Sequence, residues 1–294
     1  MSVLRNAAKR LLRFPADAFV TSSTKLTEKT QKYLPYPAPD SFYILQKSSR
    51  KSTKSVTTRL PLPPQHLRWG YGSVDEHWLN AGKADVDQMM IAVNFKDFHL
   101  QRGNRVLDFG CGPGRTIRWL ANLAEECEIW GVDISARHIV WCQENLSPPF
   151  NFATVTTHPH LPFEDRHFDF IYCFSVFTNI DDLADAWLLE LKRIMRPGGR
   201  AYITVNDKYT QDLIINHIDR VPYADEFRQK LLSYAQKINL SKSDYYMFSI
   251  NPGGPGSIVF YDIDHLRQHW GRIFNIISVT PEAHGDQTAI VVEK

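Results

Sequence analysis

The stretch RVLDFGCGPGRTIRWL, Arg105 to Leu120, decides the fold. It opens on a short apolar run that ends in an acid, Asp108. Glycines then alternate with other residues at 110, 112 and 114, and an amphipathic pattern follows. A strand, a glycine turn and a helix in that order form the first unit of an α/β sheet covered on both faces. In such sheets ligands bind outside the carboxyl ends of the strands, which is where the loop 110–114 falls. Its glycines let the backbone turn tightly and let a ligand approach closely.

Spacing and charge narrow the ligand. The dinucleotide fingerprint G-x-G-x-x-G needs a third glycine where this chain has Arg115. No G-K-[ST] follows, so the loop is not a P-loop. A carboxylate at Asp108 would repel a pyrophosphate and attract a cation. A second acid, Asp133 in IWGVDIS, ends the next strand, where a carboxylate accepts hydrogen bonds from ribose hydroxyls. Two carboxylates flanking a glycine loop suit an adenosyl amino acid. S-adenosylmethionine has an ammonium and a sulfonium and no phosphate.

Outward from this stretch, strand patterns fit 105–109, 128–133, 150–156, 168–174 and 200–206, and helical patterns fit 114–124, 135–145 and 182–195. A helix capped by Ser73 and Glu76 and running to about Leu100 precedes them. The alternation predicts an α/β fold with a doubly wound, mostly parallel sheet. At the end, IFNIISVT and QTAIVVEK leave no room for a helix, so these strands are antiparallel neighbours. Residues 206–261 are an insertion after the fifth strand. Its loop NPGGPGS fits a substrate lid or an ordinary turn, and it carries the aromatic run YYMF at 245–248.

Residues 1–60 differ in kind. They hold twelve Lys and Arg against three Asp and Glu, whereas the whole chain has a net charge of only +2. The extension is basic and the domain at 61–294 is mildly acidic. Residues 1–14 read as a short amphipathic helix, which suits a peripheral membrane or protein contact, a transit peptide, or a solvated helix. KSSRKSTKSVTTR reads as a solvated linker with no aromatic or glycine signature, so no nucleic-acid partner is predicted. No apolar run reaches the roughly 20 residues of a spanning helix. The four cysteines form no C-x-x-C pair and no metal site, which suits thiols in a reducing compartment such as the cytoplasm.

In order along the chain, VLDFGCGPGR, GVDIS, LPFEDRHFDFIYCFSVFTNI and ELKRIMRPGGRAYITV resemble the motifs of class I S-adenosylmethionine-dependent methyltransferases. The resemblance covers about Leu67 to Lys294. It looks most like the bacterial methyltransferase-domain proteins with the SVFT motif, a subgroup associated with glycan or secondary metabolism that commonly has His where this chain has Asn179. The family implies a seven-stranded Rossmann-like sheet with an antiparallel last strand. It implies that Gly110, Cys111, Gly112 and Gly114 form the loop under the methionine part, that Asp108 stands near the ammonium group, and that Asp133 holds the ribose. Ile134 would pack on the adenine, with His160 and Leu161 passing its amino group. Phe174 and Ser175 would lie beside the sulfonium, and Arg115 and Tyr71 would meet the cofactor carboxylate.

Methyl transfer to an alcohol needs a base, and His158, His160 and Asp207 are the candidates near strand ends. His158-Pro-His160 reads equally as a turn, and Asp207 as a helix cap. The expected function is methyl transfer to oxygen or nitrogen of a small molecule or glycan. A silent methyltransferase-like binding module and a protein or nucleic-acid methyltransferase are the alternatives.

Overall fold

A computed structural model of the chain describes residues 60–68, 74–94, 98–181, 183–220 and 258–294, with short pieces at 229, 232–233, 235–236 and 247–250. Residues 1–59, Tyr71, Ser73, positions 245–246 and the NPGGPGS loop lie outside the described residues.

The described elements in chain order are α1 (Asp75–Val93), β1 (Arg105–Phe109), β2 (Glu128–Asp133), α2 (Ala136–Asn145), β3 (Asn151–Thr154), β4 (Phe168–Cys173), α3 (Ala184–Ile194), β5 (Met195–Val205), α4 (Lys208–Asn216), β6 (Met247–Ile250), β7 (Ile258–Tyr261), α5 (Ile263–Trp270), β8 (Asn275–His284) and β9 (Gln287–Glu293). Seven strands form one sheet in the order β3-β2-β1-β4-β5-β9-β8, and β6 and β7 form a separate hairpin. The pairs from β3 through β5 are parallel, whereas β9 runs antiparallel to both β5 and β8. This is the expected doubly wound, mostly parallel sheet with an antiparallel last strand.

Successive side chains of a strand point to opposite faces, and β1 shows the consequence. Leu107 and Phe109 enter one buried apolar layer with Trp130 and Ile171, while Val106 enters the other with Ile129 and Phe170. Asp108 points the same way as Val106, so its carboxyl group is carried into a core face. The chain order reverses between β1 and β4. From there β2 and β3 extend one way and β5 the other, and the two βα connections diverge to leave a crevice at the carboxyl ends of β1 and β4.

Three local expectations need correction. The amphipathic pattern at 114–124 does not become an α-helix, only two short 3-10 turns at Ile117–Leu120 and Leu123–Glu125. Tertiary contacts override its periodicity: Thr116 Oγ1 bonds Asp108, Arg115 pairs with Asp85, and Arg118 Nε donates back to Gly114 O. Helix α1 stops at Val93 and not near Leu100, and its N-cap position is Val74, with no side-chain cap. RPGG at 196–199, between the helix expected at 182–195 and the strand expected at 200–206, belongs to β5. It lies within the strand as a bulge, with the pairing to β4 shifting between Phe168 and Phe170 and the Gly198 N–H donating to Lys294 O.

Candidate functional site

Asp108 is 1% exposed. The parallel register places Tyr172 of β4 beside it, and the Tyr172 hydroxyl donates to Asp108 Oδ2 at 2.8 Å. Thr116 Oγ1 donates to the same oxygen at 3.0 Å. Burial pushes the Asp108 carboxyl up to about 7, against the two hydrogen bonds and with help from the negative charge of Asp133. The residue therefore stands behind the loop as a buried polar support.

The loop above it is shaped by backbone conformation. Gly110 has φ +86° and its N–H donates to Val132 O, which ties the loop to β2. A Cβ at Gly110 would meet Val176 Cγ2 at 2.4 Å, so the exit of β4 lies directly on the loop. Gly112 has φ +51°, and a Cβ there would meet nothing within 4 Å. Space is thus open above Gly112, where a ligand can lie against bare backbone. Cys111 points away into the core, and Gly114 packs under Leu146.

Asp133 closes β2 beside this opening. Its Oδ2 accepts Gly112 N–H at 2.8 Å and its Oδ1 accepts Ser135 N–H at 2.7 Å, while the Ser135 side chain caps α2. Each carboxylate oxygen keeps a lone pair for a diol. The next residue, Ile134, is 63% exposed, a large apolar side chain left in solvent at the strand end. His160 is half-buried in the loop after β3. Leu161 is buried in the core, and its backbone is held by α3. Glu190 Oε1 accepts Leu161 N–H at 2.5 Å, and Arg193 Nη2 donates to Leu161 O at 3.0 Å. The acid and base of α3 thereby fix the loop that borders the opening.

On the far side, Phe174 is buried against Tyr172, Tyr202 and His284. Ser175 is half-buried with φ +56°, a left-handed conformation uncommon for a residue with a side chain. Its N–H donates to Thr204 Oγ1 at 2.7 Å, and Asn179 Nδ2 donates to its carbonyl at 2.8 Å. Ser175 Oγ lies 3.2 Å from His284 Nε2 and 2.9 Å from Gln287 Nε2. His284 Nδ1 lies 2.7 Å from Asp85 Oδ1, and the other oxygen of Asp85 pairs with Arg115. Burial works against charge on Asp85, yet the His284 and Arg115 contacts together hold its carboxyl below the usual range.

Several expected residues are placed otherwise. Arg115 is buried and engaged by Asp85, so it is not an open cation for a cofactor carboxylate. Asp207 forms the capping box of α4. It is buried, its Oδ1 accepts Thr210 N–H and its Oδ2 accepts the Thr288 hydroxyl, so its carboxyl group is engaged by the fold. His158 is exposed, and its N–H donates to Thr156 Oγ1 in a turn. Tyr71 lies outside the described residues. Asp85, His284 and Gln287 had no signal in the sequence. Each is a polar residue in a helix or strand with no motif around it, and only the fold brings them together.

Residues 107–203 match the methyltransferase domain family. That stretch runs from β1 through most of β5 and includes the glycine loop, Asp133 and Ser175. An O-methyltransferase of Aspergillus nomiae is 33% identical over 109 residues, 35% of this chain and 46% of that protein. A ubiquinone/menaquinone biosynthesis C-methyltransferase of Neisseria meningitidis is 27% identical over 158 residues, 51% of this chain and 59% of its own length. The chain spans about half the length of the curated relatives it matches. A solved protein of Pyrococcus horikoshii shares the fold at 15% identity, with a TM-score of 0.50 over 72% of this chain and 90% of that one. S-adenosylmethionine is the cofactor that this domain implies. The open backbone at Gly112, the remaining lone pairs of Asp133 and the exposed Ile134 fit its methionine, ribose and adenine parts in turn.

Proposed function

We propose that this chain is an S-adenosylmethionine-dependent methyltransferase acting on oxygen or nitrogen of a small molecule or glycan. The observation that carries the reading is the open Gly112 cradle between a strand-end carboxylate and an exposed aliphatic side chain. Asp133 would hold the ribose diol, Ile134 would cover the adenine, and the backbone at Gly110–Gly112 would support the amino-acid part. When bound, the cofactor supplies an electrophilic methyl group with a good leaving group. The chain's own residues then have to orient the acceptor and exclude water. Val176 lies on Gly110, so the exit of β4 borders the place where the two substrates would meet. In a reducing compartment such as the cytoplasm the four buried cysteines stay as thiols.

The test is to incubate the full chain with S-adenosylmethionine and a fractionated metabolite extract, and to follow S-adenosylhomocysteine release. Release with a small-molecule or oligosaccharide fraction is the expected outcome. Release only with a protein or nucleic-acid fraction would overturn the acceptor class.

A further inference from the structure

We propose that Ser175, His284 and Asp85 form a proton relay that deprotonates a hydroxyl acceptor, so that the methyl group goes to oxygen. The proposal rests on the methyl-transfer reading above and narrows it.

The direction of the relay follows from donor and acceptor chemistry. Asp85 pairs through Oδ2 with Arg115 and is an ionised carboxylate, so its Oδ1 can only accept. The proton on that contact is therefore carried by His284 Nδ1. In the neutral ring this leaves Nε2 as an acceptor lone pair, aimed at Ser175 Oγ. Ser175 Oγ accepts from Gln287 Nε2, and its one proton has two acceptors in reach, Gln287 Oε1 at 3.1 Å and His284 Nε2 at 3.2 Å, of which the relay uses the second. This arrangement satisfies His284 and Asp85 and directs the Ser175 proton to His284.

Position gives the relay its object. Ser175 is half-buried while His284 and Asp85 are buried, so Ser175 is the member of the three nearest to solvent. The left-handed Ser175 backbone stands at the carboxyl end of β4, one residue before the Val176 that touches the glycine loop. The other charged or titratable groups around the imidazole are Arg115 on the glycine-loop side, Asp286 in the β8–β9 turn and Tyr202 of β5. In the reaction the acceptor oxygen bonds the methyl carbon with its own lone pair. The carbon–sulfur bond breaks and its electrons stay on sulfur. The acceptor proton passes to Ser175 Oγ as the Ser175 proton moves to His284 Nε2, leaving an imidazolium paired with Asp85. An amine that attacks as the free base has no use for a serine relay of this kind.

The relay makes a claim that needs no knowledge of the acceptor: His284 draws the proton from Ser175, so Ser175 is nucleophilic. A fluorophosphonate reports this directly, because Ser175 Oγ bonds phosphorus, fluoride leaves and the proton goes to His284. The full chain is treated with the probe and analysed by intact mass and peptide mapping. Wild type should carry one adduct on Ser175, and Ser175→Ala none there. His284→Gln and His284→Asn should label at least about a hundredfold more slowly. Affinity for S-adenosylhomocysteine should change by less than about threefold in the two His284 variants, and the urea midpoint of every variant, Ser175→Ala included, shows that it is folded. No adduct on Ser175, or equal labelling in wild type and both His284 variants, would reduce the network to a brace between α1 and the β8–β9 hairpin. Labelling of Ser175 without any S-adenosylhomocysteine affinity would refute the methyl-transfer reading, and with it the acceptor assigned here.

Discussion

The two halves of the crevice are built differently. The half at β1 and β2 is the more local: Asp108, the glycine loop and Asp133 lie between residues 108 and 133 and are joined by contacts such as Gly112 with Asp133, 21 residues apart, with Tyr172 of β4 supporting Asp108 from 64 residues away. The half at β4 and β5 is assembled from remote parts. Ser175 meets Gln287 across 112 residues, and Asp85 meets His284 across 199. The first half presents backbone and open space. The second presents a closed network of buried polar side chains. A loop that must admit a ligand can be written as a motif, whereas a network that must hold a proton path depends on the whole fold.

The comparison can be broken most severely at its remote half. Asp85→Ala would leave Arg115 and His284 buried without their shared carboxylate, and should cost about 3–5 kcal/mol of unfolding free energy by urea titration. A loss under about 1 kcal/mol would mean that the network is loosely held. In the local half, Gly110→Val combines a left-handed backbone with a Cβ placed on Val176, and should cost about 2–3 kcal/mol in the same assay. If the variant matches wild type, the loop and β4 are not in contact as described. Asp133→Ala should leave the protein folded while weakening S-adenosylhomocysteine by about 1–3 kcal/mol, measured as a dissociation constant.

A finer test uses pH. The Asp108 carboxyl sits at about 7 in the folded chain against an ordinary 3.8. A raised carboxyl means that the unfolded chain releases this proton first. Its contribution to stability is complete below about pH 4 and is lost as pH rises toward 7. Asp108→Asn should therefore flatten the pH dependence of the urea midpoint over that window, by up to about 1.4 kcal/mol per pH unit. An unchanged slope would show that Asp108 is ionised throughout. The smallest effect is expected at the basic extension. A chain beginning at Leu60, which packs on the core, should bind S-adenosylhomocysteine within about threefold of the full chain. Loss of binding by a folded truncation would make the extension part of the site.

The legible and illegible parts divide along the same line. β1 and β2 were readable to the residue, because a buried parallel strand is a continuous apolar run with abrupt ends. The glycine loop, Asp133 and Ile134 were readable because they are consecutive with those ends. The helix expected at 114–124 was not formed, since Thr116, Arg115 and Arg118 are drawn to partners that local periodicity does not contain. Asp207 offered a carboxylate at a strand end, and only its two hydrogen bonds show that it caps α4. His284 fell in the short connection expected between the two terminal strands. Its role depends on β9 pairing with β5, which carries the hairpin turn to the end of β4.

The most direct test of the central claim, that the opening between Gly112, Asp133 and Ile134 is an adenosyl amino-acid site, is isothermal titration of the full chain with S-adenosylhomocysteine. One saturable site per chain is predicted, with thermal stabilisation equivalent to about 2.7 kcal/mol at a hundredfold excess over the dissociation constant. No heat of binding and no thermal shift at about 1 mM ligand would contradict it, because a ligand that binds only the folded state must stabilise that state.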